Sequence, residues 1–243
     1  MAVETIRYAV GGETFSSELI WDESKSSKRP ILLVAPNWFG VTPEWTGRAR
    51  ALAGERYCAF LVDVYGDGKR PKDRPEAAAA ANAQRANAPE WRRRMAAALE
   101  QAVREGEMRG IADTTRRAAI GFCFGGGCVF ELARMGSDIQ AAVSIHGDLI
   151  GSMPAAPKQI KSAMLAIHGS EDPIAPKSRR DAFEAEMQYC GAKWQMMTFG
   201  GLYHSFTDIG VNVPPEAQYN ESAARQAYAW SYLFIENAFA GTL

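Results

Sequence analysis

Cys123 is the middle residue of Gly121-Phe122-Cys123-Phe124-Gly125-Gly126-Gly127, a glycine-bracketed segment between an apolar run and a helical pattern. A nucleophile on a sharp strand-to-helix turn needs small neighbours, because the turn passes close to adjoining backbone. Gly121 and Gly125 supply them. The turn also places the sulfur at a helix N-terminus, where the partial positive charge favours an anion. Two further segments complement it. Gly169-Ser170-Glu171-Asp172-Pro173 offers a carboxylate, and Gly200-Gly201-Leu202-Tyr203-His204-Ser205 offers an imidazole. A histidine within hydrogen-bond reach of a thiol takes its proton, and an aspartate behind the ring fixes the tautomer and stabilises the cation. Cys123, Asp172 and His204 are thus expected to carry out covalent acyl transfer. The backbone N–H of Phe124 is one expected donor to the oxyanion, and the loop Pro36-Asn37-Trp38-Phe39-Gly40 should supply the second. Glu171 is the nearest competitor of Asp172.

These segments need a scaffold that brings them together. Residues 31–35 form a wholly apolar run, as a strand buried on both faces does, and residues 58–64 read the same way. Residues 117–121, 140–145, 163–168 and 195–199 are further expected strands, and residues 14–21 alternate like an exposed antiparallel strand. Helices are expected over 43–54, 89–105, 124–135, 178–191 and 217–239, the first with Thr42 as N-cap and Pro43 in its first turn. Residues 69–88 are alanine-rich and poor in large apolar side chains, so they read as an excursion over the surface. Strands alternating with helices imply an α/β fold, with a mostly parallel central sheet, helices on both faces and a single domain over 1–243. In such a sheet, functional groups collect at the carboxyl ends of the strands. Cys123, Asp172 and His204 each follow an expected strand, in the chain order nucleophile, acid, histidine. That is the α/β-hydrolase arrangement, with cysteine in place of serine.

Composition narrows the partners. The chain has 243 residues, of which 47% are hydrophobic and 23% charged, and its formal net charge is −1. This balance argues against nucleic acid or an anionic membrane held by bulk electrostatics. No apolar run approaches the roughly 18 residues of a membrane helix. The N-terminus lacks a secretory pattern. Cys58, Cys123, Cys128 and Cys190 form no CxxC pair or disulfide framework, so a reducing, cytoplasmic setting is expected. His146, His168 and His204 are scattered, and no metal or organic cofactor is implied. The partner is expected to be a small molecule, and a homodimer is compatible with this composition. His146 reads as a pocket residue or a satisfied structural histidine, and His168 as structural. Arg92-Arg93-Arg94 reads as a solvated helix face.

The segments LLVAPNWFG, FLVDVYGDGK, GFCFGG, HGSEDP and GGLYHSF resemble the dienelactone hydrolase family over residues 31–239. The resemblance implies an α/β-hydrolase without a large lid domain and a Cys-Asp-His triad that works through an acyl-thioester. It makes Cys123 the nucleophile, His204 the base and then acid, and Asp172 the orienting carboxylate, with the N–H groups of Phe124 and Trp38 as oxyanion hole. Two positions depart from the family pattern. Asn37 stands where the family carries a glutamate beside the thiol, and Asp208 where it carries an arginine that holds a substrate carboxylate. Both departures point away from anionic dienelactones and toward neutral aryl esters, with aryl phosphotriesters as a metal-free side reaction. Asn37, Tyr65, Trp91, His146, Tyr203 and Phe206 are the expected pocket residues. The competing expectation is a thiol-based redox sensor or binding protein on the same scaffold.

Overall fold

The turn Gly11-Gly12, with φ of 57° and 85°, opens the architecture. Two successive residues with positive φ give the tight hairpin whose twist matches its strands. It joins β1 (Ala2–Val10) to β2 (Glu13–Trp21), paired from Ala2 with Trp21 to Val10 with Glu13. The computed structural model describes residues 1–243, and the chain divides into two compact units, Met1–Ala119 and Ile120–Leu243.

In the first unit the strand order is β1-β2-β4-β3, with β3 at Arg29–Ala35 and β4 at Cys58–Leu61. β2 pairs antiparallel with β4, and β4 pairs parallel with β3. All residues of β3 and β4 are buried, as strands covered on both faces must be. The helix α1 (Pro43–Ala53) starts as its sequence predicts: Thr42 accepts a hydrogen bond from the Trp45 N–H and Pro43 occupies the first turn. The long helix α3 (Ala88–Met108) buries Trp91, Met95, Ala98, Leu99 and Ala102, one stripe at helical spacing. Asp63, fully buried just past β4, accepts from the N–H groups of Ser16, Tyr65 and Gly66 and from Arg70. The turn after β4 is thereby fixed by a charge-assisted network.

β5 (Ala112–Phe122) leads into the second unit. There β6 (Ala141–Ile145), β7 (Ala163–Gly169) and β8 (Trp194–Phe199) run parallel, in that order. α4 (Phe124–Arg134) packs on β6 and is buried along its entire length. α5 (Lys177–Cys190) connects β7 to β8. A two-stranded pair, β9 (Asn212–Val213) and β10 (Ala217–Gln218), precedes the final helix α6 (Glu221–Ala240). Mostly parallel strands flanked by helices are the α/β class expected from the sequence.

The structure corrects several local expectations. Residues 69–88 contain the helix α2 (Arg74–Ala86), started by Asp73, which accepts from the Glu76 N–H, and by Pro75 in the first turn. Its buried residues are Ala77 and Ala81, so the face it packs carries no large side chain to signal it. β2 is mostly buried rather than exposed, because the helices α1 and α3 pack on it. β1 itself escapes a reading of apolar runs, since only Ile6 and Val10 on it are buried. Residues 62–64 leave the expected strand of 58–64, and α6 starts at Glu221, where Asn220 accepts from the Ala223 N–H. Arg92 is buried, and Arg94 pairs with Glu13 and Glu90; only Arg93 of that triplet is substantially exposed.

Candidate active site

Three adjacent backbone hydrogen bonds carry the second unit's strands into the site. The Cys123 N–H donates to the Ile145 carbonyl at 3.1 Å, the His146 N–H to Ile167 at 2.8 Å, and the Ser170 N–H to Phe199 at 2.8 Å. All lie at the carboxyl ends of their strands, where α/β folds place function. Cys123 has φ 53° and ψ −120° and caps the N-terminus of α4. A left-handed φ costs a non-glycine residue roughly 1–2 kcal/mol. His146 (φ 40°) and Ser205 (φ 55°) adopt it as well, so three of the chain's four such residues border one site. Strain concentrated in this way marks positions that the surrounding structure over-determines.

The glycines explain how the turn fits. A Cβ at Gly121 would fall on the Gly125 carbonyl, and one at Gly126 would fall on Ser144 Oγ and on the Gly147 Cα. Backbone therefore approaches backbone at both positions. Cys123 is half-buried, whereas Cys58, Cys128 and Cys190 are buried.

Asp172 is 1% exposed. Its Oδ1 accepts from the Ile174 N–H at 2.8 Å, and its Oδ2 lies 2.9 Å from His204 Nδ1. Burial raises the Asp172 pKa, but the His204 hydrogen bond and charge, the Ile174 N–H and His168 outweigh it and hold the carboxyl below its ordinary range. His204 is held by its backbone, donating to the Glu216 carbonyl at 3.3 Å and accepting from the Gln218 N–H at 3.0 Å. Burial lowers the His204 pKa. Negative charge at Cys123, hydrogen bonds with Asp172 and with the Cys123 side chain, and the Asp172 charge outweigh this and raise it to about 10. The structure thus places His204 at hydrogen-bond distance from Asp172 and close enough to Cys123 for the two to interact electrostatically. Glu171 is exposed and accepts from Ser170 Oγ, so the competitor of Asp172 faces away from this group.

The expected pocket residues fare differently. His146 and Phe206 are fully buried, so neither offers surface to a substrate; this departs from the pocket expected at Phe206 and leaves His146 as the structural histidine that the sequence also allows. The His146 ring lies edge-on to His204 with centroids 5.0 Å apart, and its Nε2 is 2.7 Å from Thr207 Oγ1. Phe206 packs edge-on against His146 at 5.3 Å. These rings back the histidine instead of lining a pocket. Tyr203 is half-buried, directly before His204 in the chain. In the first unit Trp91 is a buried residue of α3. Tyr65 is buried, and its hydroxyl donates to the Trp38 carbonyl at 2.9 Å. Asn37 Oδ1 accepts from the Phe39 N–H at 3.0 Å, an Asx turn that engages its oxygen inside its own loop. Asp208 is buried, in a turn closed by its N–H donating to the Ser205 carbonyl.

Two residues at the site carried no sequence signal. Thr207 partners His146, and Arg180 on α5 reaches the loop that bears Asp172. His168, expected to be structural, is fully buried beside the triad with both ring nitrogens lacking a hydrogen bond. Its pKa is lowered to about 4 by burial, opposed by the Asp172 charge and assisted by His204 and Arg180. No group of three or more His, Cys, Asp or Glu side chains is placed to hold a metal ion, and no helix is long and apolar enough to cross a membrane.

Parallel strands with a cysteine elbow, an aspartate and a histidine at their carboxyl ends define an α/β-hydrolase. The dienelactone hydrolase family profile matches residues 19–239, and the chain belongs to that family. A solved structure named m3DLH is 33% identical, with 98% of each chain covered and a TM-score of 0.88. A dienelactone hydrolase-like promiscuous phosphotriesterase from metagenomic libraries is 31% identical, covering 97% of this chain and 98% of that one, with a TM-score of 0.84. A carboxymethylenebutenolidase homolog of Mus musculus is 27% identical over 119 residues, 48% of each chain.

Proposed function

We propose that this dienelactone hydrolase-like enzyme hydrolyses carboxylic esters and lactones through an acyl-thioester on Cys123. The observation that carries the reading is the Asp172–His204 pair at 2.9 Å, with a cysteine on a strained helix N-cap that interacts with the same histidine.

In the first half-reaction His204 carries the proton of the Cys123–His204 pair, and the sulfur attacks the ester carbonyl carbon as a thiolate. The carbonyl oxygen becomes an oxyanion, held by the Phe124 N–H at the positive end of α4. We assign the second donor to the Trp38 N–H on the strength of the resemblance. Collapse of the intermediate breaks the C–O bond, and His204 gives its proton to the departing alcohol. In the second half-reaction neutral His204 takes a proton from water, the hydroxide adds to the thioester carbonyl, and the returning proton releases Cys123 and the acid. Asp172 keeps the Nδ1 proton of His204 in place throughout and stabilises the imidazolium.

The preferred substrates on this reading are neutral esters with aryl leaving groups. Asp208 stands where a carboxylate-binding arginine would favour an anionic lactone, and Asn37 contributes no charge. The same thiolate and oxyanion donors suit a neutral aryl phosphotriester, because negative charge develops on oxygen there too. The similarity to a promiscuous phosphotriesterase over nearly the whole chain supports that side reaction.

Rapid mixing with p-nitrophenyl acetate tests the main reaction. A burst of p-nitrophenolate equal to the enzyme concentration is expected, with an acetyl group on Cys123 detected by mass spectrometry. Cys123→Ala should lose the burst and about a thousandfold or more in kcat/KM while remaining folded. Turnover that survives this substitution would remove Cys123 from the mechanism.

A further inference from the structure

Arg180, the fourth residue of α5, reaches back to the loop between β7 and α5. Its Nη1 donates toward the carbonyls of Gly169 at 3.2 Å, Ser170 at 3.2 Å and Ala175 at 3.0 Å. These carbonyls flank Asp172 on both sides. The loop is tied at other points as well. The Glu171 N–H donates to the Leu202 carbonyl at 3.0 Å, and the Asp172 carbonyl accepts from the Ala175 N–H at 3.2 Å. A single guanidinium nitrogen thus gathers the inward carbonyls of the segment that presents the carboxylate.

The donor is charged and acts on backbone rather than on a mobile side chain. Backbone carbonyls turned toward one another repel, so without the cation between them the loop would open. Asp172 Oδ2 would then move relative to His204 Nδ1, since the Asp172 backbone lies between the tied carbonyls. Because one nitrogen makes all three contacts, a lysine ammonium with its three rotatable donors should replace part of the cluster.

We propose that Arg180 is a positioning residue for Asp172, and through it for His204: its guanidinium closes the Asp172 loop and sets the 2.9 Å contact with the imidazole. The inference rests on the triad reading above. It concerns orientation only, because Arg180 touches neither Cys123 nor the reacting carbonyl. The effect should therefore fall on the chemical step and leave substrate affinity alone.

The test compares Arg180→Met, which keeps the aliphatic stem, and Arg180→Lys, which keeps a donor, with wild type on p-nitrophenyl acetate. Arg180→Met should lower kcat about tenfold to a hundredfold with KM changed by less than about twofold, as expected for misplacement of a catalytic group without loss of binding. Arg180→Lys should recover part of that loss. The low-field proton resonance of His204 Nδ1–H, present in wild type, should broaden or move upfield in Arg180→Met and return toward its place in Arg180→Lys. A merely structural role would lower the melting temperature without moving that resonance. If Arg180→Met does not fold, Arg180→Lys and Arg180→Gln carry the comparison. Wild-type kcat together with an unmoved resonance in a folded variant would overturn the proposal. Activity indifferent to Cys123→Ala would instead overturn the triad reading, so the two failures are distinct.

Discussion

His204 Nδ1 and Asp172 Oδ2 lie 2.9 Å apart, with the carboxylate 1% exposed and the histidine 9% exposed. Each partner holds the other in its charged form, with the Asp172 pKa lowered and that of His204 raised to about 10. The stability supplied through His204 is fully present below its ordinary value of 6.5 and is lost as pH rises through about 10. That supplied through Asp172 is present above its ordinary 3.8 and is lost as pH falls through its lower folded value. Asp172→Asn removes the anion and offers Nδ1 the wrong partner. The imidazole NMR titration of His204 should move down from about 10, and kcat should fall by about a thousandfold or more. A His204 titration unchanged in the variant would mean that the pair is not what holds the proton.

His168 provides a separate pH signature. It is fully buried with neither ring nitrogen hydrogen-bonded, and its pKa is lowered from 6.5 to about 4. Between those values the unfolded chain binds a proton that the folded one refuses, so stability should decline as pH falls from 6.5 to 4. The contribution is on the order of 3 kcal/mol. Urea unfolding midpoints of wild type and His168→Leu, measured at pH 7 and pH 5, check this. The acid-induced drop should be smaller in the variant, and equal drops would show that His168 is not the group that refuses the proton.

Gly121 is fixed by geometry rather than by flexibility. Its φ is not left-handed, yet an added Cβ would collide with the Gly125 carbonyl and with the Gly126 nitrogen, 2.8 Å away. Neither atom belongs to a side chain that can swing aside, so the elbow or α4 must shift. Gly121→Ala should cost about 1–3 kcal/mol, in the range of overpacked interiors. It should also reduce the p-nitrophenyl acetate burst. Thermal melts and burst amplitude measure the two effects, and a variant as stable and as active as wild type would mean that the elbow has slack.

The elements legible in the sequence were those whose signal is local. Thr42 and Pro43 announce α1 because a cap and a first-turn proline act within one turn. β3 and β4 announce themselves because both of their faces are buried. The helix α2 was not legible, because Ala77 and Ala81 make an apolar face without large side chains. The triad was legible as order, since Cys123, Asp172 and His204 each follow a strand. Side-chain direction is not, and so the sequence places Phe206 at a pocket and leaves His146 between pocket and structural roles, although both are buried against one another. Arg180 left no trace because its partners are backbone carbonyls, which every residue carries.

The last prediction concerns phosphorus. Attack by the Cys123 thiolate on a neutral p-nitrophenyl phosphotriester expels p-nitrophenolate and leaves a dialkylphosphoryl group on sulfur. Turnover then requires water to attack phosphorus and the thiolate to leave. Serine hydrolases often stop at this adduct because an alkoxide leaves poorly, whereas a thiolate leaves more readily. His204 is expected to take the proton from that water, with its ring oriented by Asp172. Incubation with excess paraoxon should yield more p-nitrophenolate than enzyme, with EDTA without effect and Cys123→Ala inactive. His204→Ala should accumulate the phosphorylated Cys123, detectable by mass spectrometry. One equivalent of p-nitrophenolate followed by permanent silence of the wild type would mean that dephosphorylation fails and that phosphotriesters are inhibitors of this enzyme.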